Sequence, residues 1–229
     1  MLMITPSFLL AREFSPFEQL LKETFPTVRH KKKGSVIIEM SDDRSTYCYY
    51  ILKGTCSFVM RHENGGVKVA SLRGPGAIFP LFYTYKNTTM ESPQEVIALS
   101  DMDLLVIPKP ELHKLMLSHP ELAIAMCDAH GKYETLLLYT ISSQLFDPAS
   151  MKIASYLFIQ HNSYGNILES THEEIGTATG VTRETVSRVL NQLKKQGIIK
   201  TERNKIKILS LQKLVNCCSY MTYSDKEEH

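Results

Sequence analysis

The fold of this chain is decided by residues 171–209, THEEIGTATGVTRETVSRVLNQLKKQGIIKTERNKIKIL. Thr171 and, three residues later, Glu174 form a capping-box pattern that predicts the start of a short helix. Gly180 suits the left-handed residue that closes such a helix, and Thr182 can cap a second helix that follows directly. Two short helices joined by a tight glycine turn predict a helix-turn-helix unit, whose second helix enters the major groove of DNA.

The second helix is predicted to have an apolar face and a polar face. Its apolar residues recur at helical spacing and are expected to pack on the core: Val186, Val189, Leu190 and Leu193. The polar face carries the residues that we expect to read DNA bases: Arg183, Glu184, Ser187 and Arg188. Arginine can donate two hydrogen bonds to guanine, and glutamate can accept one from the cytosine amino group. In the alternative, these are ordinary solvated residues, with Glu184 and Arg188 as an i,i+4 ion pair.

The surroundings of this helix also suit DNA. Side chains at the starts of the two helices are expected to contact phosphate oxygens: Thr171, His172, Thr182 and Thr185. Apolar residues at 198–199 and 206–208 flank a polar turn at Asn204 and predict a β-hairpin wing. The whole chain has a formal net charge of only +2, but residues 183–207 are richer in Lys and Arg than in Asp and Glu. Attraction to phosphate depends on this local excess.

Residues 173–199, EEIGTATGVTRETVSRVLNQLKKQGII, resemble the DNA-binding domain of the catabolite activator / anaerobic regulator family of bacterial transcription factors. In that family three positions of the recognition helix read bases. Glu184, Ser187 and Arg188 reproduce the Glu-x-x-Ser-Arg pattern that implies a TTGA-like half-site, and Arg183 matches the first reading arginine of the cyclic-AMP branch. The resemblance implies a homodimer bound to a TTGA-N-TCAA-like palindrome of double-stranded DNA.

The first half of the chain has a different pattern. Between Gly34 and Pro108, short apolar stretches alternate with turn residues, and Asn64-Gly65 is a strong hairpin signal. This pattern predicts an antiparallel barrel or double-sheet jelly roll and resembles the cyclic-nucleotide-binding fold of the family's sensor half. The predicted class is α+β. It comprises an effector-sensing β jelly roll over 1–119, a dimerisation helix over 120–147 and a winged helix-turn-helix DNA-binding domain over 148–229.

The expected effector is not cyclic AMP. The cyclic-AMP branch holds its nucleotide with a Gly-Glu pair and an Arg-Ser pair, and residues 76–91 contain neither. Aromatic and polar side chains replace them and could stack a flat ring beside a cation: Phe79, Phe82, Tyr83, Tyr85, Lys86 and Thr89, with Lys132 and Tyr133 from the helix. Halorespiration regulators that bind chlorinated aromatic acids depart from the motif in the same way. Three alternatives stay open: these residues fill a core, the barrel is only a dimer scaffold, or an atypical pocket binds a cyclic nucleotide.

The long helix has a heptad pattern along its length. The seam residues expected to pair two copies are Leu122, Met126, Ala129, Tyr133, Leu136 and Thr140. Alternatively the helix packs on its own barrel, and both can hold on different faces. Asp147-Pro148 is predicted to end it, with Asp147 capping the next helix and a hinge at this point.

Neither catalysis nor a metal is expected. The sequence has no nucleophile–base arrangement, no phosphate-cradling glycine loop and no metal-ligand spacing, and no supporting motif accompanies a haem-ligating histidine. The five cysteines are odd in number and fit a reducing cytoplasm, and no N-terminal cluster suggests an iron–sulfur centre. We expect no cofactor, no signal peptide and no membrane span. In some relatives the position of residues 161–166 contacts RNA polymerase.

Overall fold

The computed structural model describes residues 9–39, 46–61, 63, 67–81, 94–202 and 204–219, without the side chains of 163 and 164. The chain divides into two compact units, one formed by Leu9–Tyr133 and the other by the chain from Glu134 onward. The division falls inside the long helix that was predicted for residues 120–147.

The first unit consists mainly of short strands followed by helices. Its elements are β1 (Leu9–Leu10), α1 (Glu18–Thr24), β2 (Val28–Lys31), β3 (Val36–Ile38), β4 (Tyr47–Lys53), β5 (Cys56–Arg61), β6 (Val67–Arg73), β7 (Ile78–Phe79), β8 (Gln94–Ala98), β9 (Met102–Pro108), α2 (Lys109–Ser118) and the beginning of α3 (Pro120–Phe146). In the described part of this unit the strands form two sheets, ordered β1-β6-β5-β8-β3 and β2-β9-β4-β7.

The sheets confirm the predicted jelly-roll fold. β5 and β6 pair antiparallel as the predicted hairpin, from Cys56 opposite Arg73 to Arg61 opposite Val67. The Asn64-Gly65 turn between them lies outside the described residues.

Alternate residues of the central strands serve two cores. On β4, Tyr49 and Ile51 belong to a cluster to which both sheets contribute, whereas Tyr50 belongs to a cluster shared with the helices. On β9, Leu104 and Leu105 divide in the same way. Successive side chains of a strand point to opposite faces. One run of apolar residues therefore packs between the two sheets on one face and against the helices on the other.

The second unit is mostly helical. After the last turns of α3 come α4 (Ala149–Tyr164), β10 (Ile167–Glu169), α5 (His172–Thr179), α6 (Arg183–Lys195), β11 (Ile199–Glu202), β12 (Lys205–Ile208) and α7 (Leu211–Val215). Among the described residues its strands form one small sheet ordered β10-β12-β11. The predicted two-stranded wing is present, and β10 adds a third strand with Leu168 opposite Ile206.

Candidate functional site

The first helix of the predicted helix-turn-helix begins at a complete capping box. The Thr171 hydroxyl accepts a hydrogen bond from the Glu174 backbone N–H at 3.1 Å, and a Glu174 carboxylate oxygen accepts one from the Thr171 backbone N–H at 2.7 Å. The helix ends at Gly180, whose φ of 72° lies in the left-handed region. Both signals were read from the sequence, and both are confirmed.

The turn between α5 and α6 is too tight for a side chain at Gly176. A Cβ added there would lie 2.7 Å from the Val181 carbonyl oxygen. The Gly176 carbonyl also accepts hydrogen bonds from the backbone N–H groups of Gly180 and Val181, at 2.8 and 3.1 Å. The glycine therefore fixes the angle at which the second helix leaves the first.

The second helix, α6, is capped and buried as predicted. The Thr182 hydroxyl accepts from the Thr185 backbone N–H at 3.3 Å, which satisfies one of the free donors of the first turn. The four apolar residues predicted to face the core are all buried: Val186, Val189, Leu190 and Leu193. Their burial fixes the rotation of α6 and leaves the opposite face to solvent.

That opposite face brings the predicted base-reading residues together. Arg183, Glu184, Ser187 and Arg188 all line one open cleft of about 730 Å³. Four more side chains line it, of which the sequence analysis had named only His172: His172, Asn191, Gln192 and Lys195. The other three lie one helical turn or more beyond the named residues, so the helical period could have found them.

Glu184 is held in its charged form by the start of α6. Its own backbone N–H and then the Thr182 hydroxyl lower the pKa of the Glu184 carboxyl. A negative charge is favourable at a helix N-terminus, where N–H groups lack partners. An ionised carboxylate accepts hydrogen bonds only, as the amino group of cytosine requires.

The residues predicted to contact phosphate divide into two groups. Thr171 directs both its backbone N–H and its hydroxyl to Glu174, and the Thr182 hydroxyl donates to Thr185 Oγ1 at 3.1 Å. These two threonines therefore have structural partners within the unit. His172 lines the cleft of the base-reading residues. Together with Thr171 it also lines a second cleft, of about 590 Å³, that reaches the wing residues Asn204 and Lys205.

The predicted effector residues are found in separate places. Phe79 is 1% exposed and packs against Tyr49 and Phe58 with 5.7 Å between ring centroids, so it fills the core between the sheets. The Nζ atom of Lys132 lies 3.7 Å from a carboxylate oxygen of Glu13. The other predicted residues of the loop fall outside the described residues: Phe82, Tyr83, Tyr85, Lys86 and Thr89.

Tyr133, the remaining predicted residue, contacts Arg73, which was not predicted from the sequence. The guanidinium carbon of Arg73 lies 5.3 Å from the Tyr133 ring centroid and 4.7 Å from that of Phe58. Arg73 is only 4% exposed, and burial lowers its pKa. In the sequence it stands at the end of an ordinary strand, with no spacing that marks it.

The predicted dimer seam of α3 is covered within the single chain. Leu122, Met126 and Ala129 belong to the core cluster shared by the sheets and helices of the first unit, and Tyr133 and Leu136 are also buried. For Leu122, Met126 and Ala129 this is the alternative in which the helix packs on its own barrel. A different face is open, because large apolar side chains of the same helix are exposed: Ile124, Leu137, Leu138, Ile141, Leu145 and Phe146.

Metal and membrane features can be stated for the described part of the chain. There, no three His, Cys, Asp or Glu side chains are grouped so that they could hold a metal ion. The described cysteines are free thiols, and burial raises the pKa of Cys48 and Cys56 to about 12. Of the helices that the structure describes, none combines the length and the apolarity needed to cross a membrane.

Comparison with known proteins identifies both units. Residues 28–119 match the model of the cyclic nucleotide-binding domain, and residues 151–217 match that of the Crp-like helix-turn-helix domain. The transcriptional regulator SdrP of Thermus thermophilus is 26% identical over 167 residues, which cover 72% of this chain and 81% of SdrP. The global nitrogen regulator of Synechocystis is 22% identical over 84% of this chain and 89% of its own.

A solved structure shows the same fold. A mutant of CooA from Carboxydothermus hydrogenoformans superimposes with a TM-score of 0.75 at 20% identity, over 90% of this chain and 99% of that one. The chain belongs to the CRP/FNR family of transcription regulators. It is a DNA-binding regulator with a ligand-binding domain, and not an enzyme.

Proposed function

We propose that this protein is a homodimer that binds a TTGA-N-TCAA-like palindrome through α6. The observation that carries the proposal is that Arg183, Glu184, Ser187 and Arg188 line one open cleft on the exposed face of that helix. Glu184 and Arg188 would discriminate bases, each good pair being worth about 1–3 kcal/mol. The side chains that suit phosphate are Thr171, His172, Thr182 and Thr185, and of these His172 lines both clefts.

The proposed palindrome and the exposed apolar face of α3 both support a homodimer. Two recognition helices related by a two-fold axis reach successive major grooves about 34 Å apart. Ile124, Leu138 and Leu145 are spaced by multiples of seven residues on α3, and Ile141 stands three residues beyond Leu138. All four are more than half exposed, so they offer the apolar seam of a paired helix.

The effector is proposed to be a small molecule other than cyclic AMP that binds in the jelly-roll unit of a cytoplasmic protein. Support comes from the absence of the Gly-Glu and Arg-Ser pairs from residues 76–91. Residues 161–166 are proposed to contact RNA polymerase. A constitutive regulator would instead bind DNA with the same affinity under all ligand conditions, and one with an atypical nucleotide pocket would respond to a cyclic nucleotide.

Fluorescence anisotropy of the ligand-free full chain on a TTGA-spacer-TCAA duplex tests the proposal. A scrambled duplex of equal length and charge is the control, and a salt series separates phosphate attraction from base reading. We expect tight binding to the palindrome, or tight binding once an effector is added, and weak salt-dependent binding to the scrambled duplex. Equal affinity for both duplexes under every ligand condition would contradict the proposed site.

A further inference from the structure

A buried arginine in the first unit has unused hydrogen-bonding capacity. Arg73 ends β6 and is 4% exposed. Its Nη1 donates to the Ser71 hydroxyl at 2.8 Å and to the Leu72 carbonyl at 3.0 Å. A guanidinium has five N–H donors, and removing its charge from water is costly unless the charge is compensated.

The rings of Phe58 and Tyr133 lie beside the guanidinium of Arg73. Both rings contact the cation through their faces, at 4.7 and 5.3 Å from centroid to guanidinium carbon. No described residue accepts a hydrogen bond from Nε or Nη2 of Arg73. These two nitrogens form the side edge of the guanidinium, the fork that holds a carboxylate through two parallel hydrogen bonds.

The carboxylate of Glu13 pairs with Lys132 and not with Arg73. Glu13 lies 3.7 Å from Lys132 Nζ, and its side chain is 8% exposed. Among the described residues, no carboxylate forms an ion pair with Arg73. Lys132 is 42% exposed and lies beside Glu13, whereas Arg73 is buried without a described carboxylate in ion-pair contact, so an anion bound at Arg73 would neutralise a buried charge.

A small void adjoins the same group. It measures about 10 Å³, and both Arg73 and Glu13 line it together with apolar side chains. A void of this size has room for roughly one water molecule, so it shows only that the packing beside Arg73 is incomplete.

We propose that Arg73 is the anion-recognition point of the effector site and that the ligand is a small organic carboxylate bound at the Nε/Nη2 edge. The inference rests on the proposed function, because it places the effector in the jelly-roll unit. Tyr133 and Lys132 are neighbouring residues of α3, so a ligand at Arg73 reports directly to that helix.

Isothermal titration of the full chain with benzoate tests the site. Benzamide, the uncharged analogue of the same shape, and inorganic phosphate are titrated in parallel. We expect saturable binding of benzoate and none of benzamide. Failure of benzoate to bind, or equal binding of benzamide, would overturn the proposal, and binding of phosphate alone would overturn the carboxylate assignment.

Substitutions locate the binding group. Arg73→Gln should weaken benzoate binding roughly tenfold to a hundredfold, and Arg73→Lys should also weaken it because an ammonium lacks the fork. If circular dichroism shows that Arg73→Gln does not fold, the benzoate affinity of Arg73→Lys is the deciding measurement. Arg61→Gln, which removes an exposed arginine of β5 paired with Glu95 at 2.7 Å, is the matched control and should leave the affinity unchanged. Unchanged affinity in both Arg73 variants would overturn the proposal.

Two carboxylate variants test whether Arg73 is neutralised by a bound ligand or by a carboxylate of the chain itself. Glu13→Gln releases Lys132 and should tighten benzoate binding several-fold, an effect that a purely structural arginine would not produce. Glu91→Gln removes the acid of residues 82–93 and should change nothing. Binding of benzoate by Glu91→Gln but not by the wild type would show an internal counter-ion and overturn the proposal.

DNA binding is measured separately, by anisotropy with and without benzoate. Arg73-dependent benzoate binding that leaves DNA affinity unchanged would uphold the anion site and contradict effector control. Specific DNA binding without any benzoate binding would uphold the proposed DNA-binding function and contradict the anion site.

Discussion

The side chain of Gln144 holds the end of α3 to the helix-turn-helix, because its Nε2 donates to the Thr179 carbonyl at 3.0 Å. Thr179 is the last residue of α5, directly before the left-handed Gly180. Lys152 Nζ in turn lies 3.3 Å from the Gln144 carbonyl oxygen. One exposed glutamine thus connects three helices at the turn that precedes the recognition helix.

Replacing Gln144 should loosen this turn. Gln144→Met keeps the length of the side chain but leaves the Thr179 carbonyl without its donor, at a cost of about 1 kcal/mol. We expect faster hydrogen exchange in α5 and at the start of α6, and a lower thermal midpoint. Gln212→Met, on the exposed face of α7, is the control and should change neither. Equal exchange in the two variants would show that the contact does not hold the turn.

Two glycine-to-alanine changes should have opposite effects. Gly176→Ala places a Cβ 2.7 Å from the Val181 carbonyl oxygen and should lower the thermal midpoint. Gly131→Ala, in the middle of α3, meets no atom within 4 Å and should raise stability by about 1 kcal/mol through helix propensity. Thermal unfolding followed by circular dichroism measures both. A Gly176→Ala protein with an unchanged thermal midpoint would mean that the turn has room for a methyl group.

Tyr50 and Glu18 should link stability to acid pH. Hydrogen bonds from Lys22 and then from Tyr50, which donates at 2.7 Å, lower the pKa of Glu18. A carboxyl whose folded pKa lies below its unfolded value of about 4.3 stabilises the fold above that value, and this contribution disappears as the pH falls through the folded value.

Tyr50→Phe should therefore be less stable than the wild type by about 1 kcal/mol at neutral pH, because Glu18 is partly exposed and its hydrogen bond is screened. The difference in the free energy of unfolding should shrink as the pH falls below about 4. Urea titrations at several pH values measure it. The control Tyr47→Phe, at a 44% exposed position, should have the same free energy of unfolding as the wild type. If the loss of stability in Tyr50→Phe does not depend on pH, the hydrogen bond to Glu18 does not couple stability to acid pH.

The exposed stripe of α3 should control dimerisation. Leu138→Glu combined with Ile141→Glu puts two charges on side chains that are 57% and 56% exposed in the single chain. We expect monomers in sedimentation velocity at concentrations where the wild type is a dimer. Leu117→Glu, at a 74% exposed position of α2, should remain dimeric. A dimeric double variant would assign the interface to another surface.

The DNA-reading unit could be predicted from the sequence because its signals are local. Thr171 with Glu174 and the glycine at 180 obey rules that depend on neighbours three or four residues away. The spacing of Val186 and Val189 likewise fixes which side of α6 is buried, and so which side is open.

Long-range contacts explain what the sequence did not predict. The heptad through Leu122 and Met126 is real, but periodicity does not reveal whether a second copy or the chain's own sheets cover it. Asp147 was expected to cap α4 and instead accepts a hydrogen bond from the Ser219 hydroxyl at 3.3 Å, a partner 72 residues away. Arg73 is unusual only because the fold buries it between Phe58 and Tyr133.

The most direct test of base reading by α6 compares two variants of that helix on matched DNA. Arg188→Ala removes a cation from the cleft of predicted base-reading residues, and Lys194→Ala removes one from the last turn, outside that cleft. Anisotropy on the TTGA-spacer-TCAA duplex and on a scrambled duplex gives a specificity ratio for each. We predict that Arg188→Ala binds both duplexes equally weakly, while Lys194→Ala keeps the preference of the wild type. An Arg188→Ala protein that still prefers the palindrome by the wild-type ratio would contradict the account.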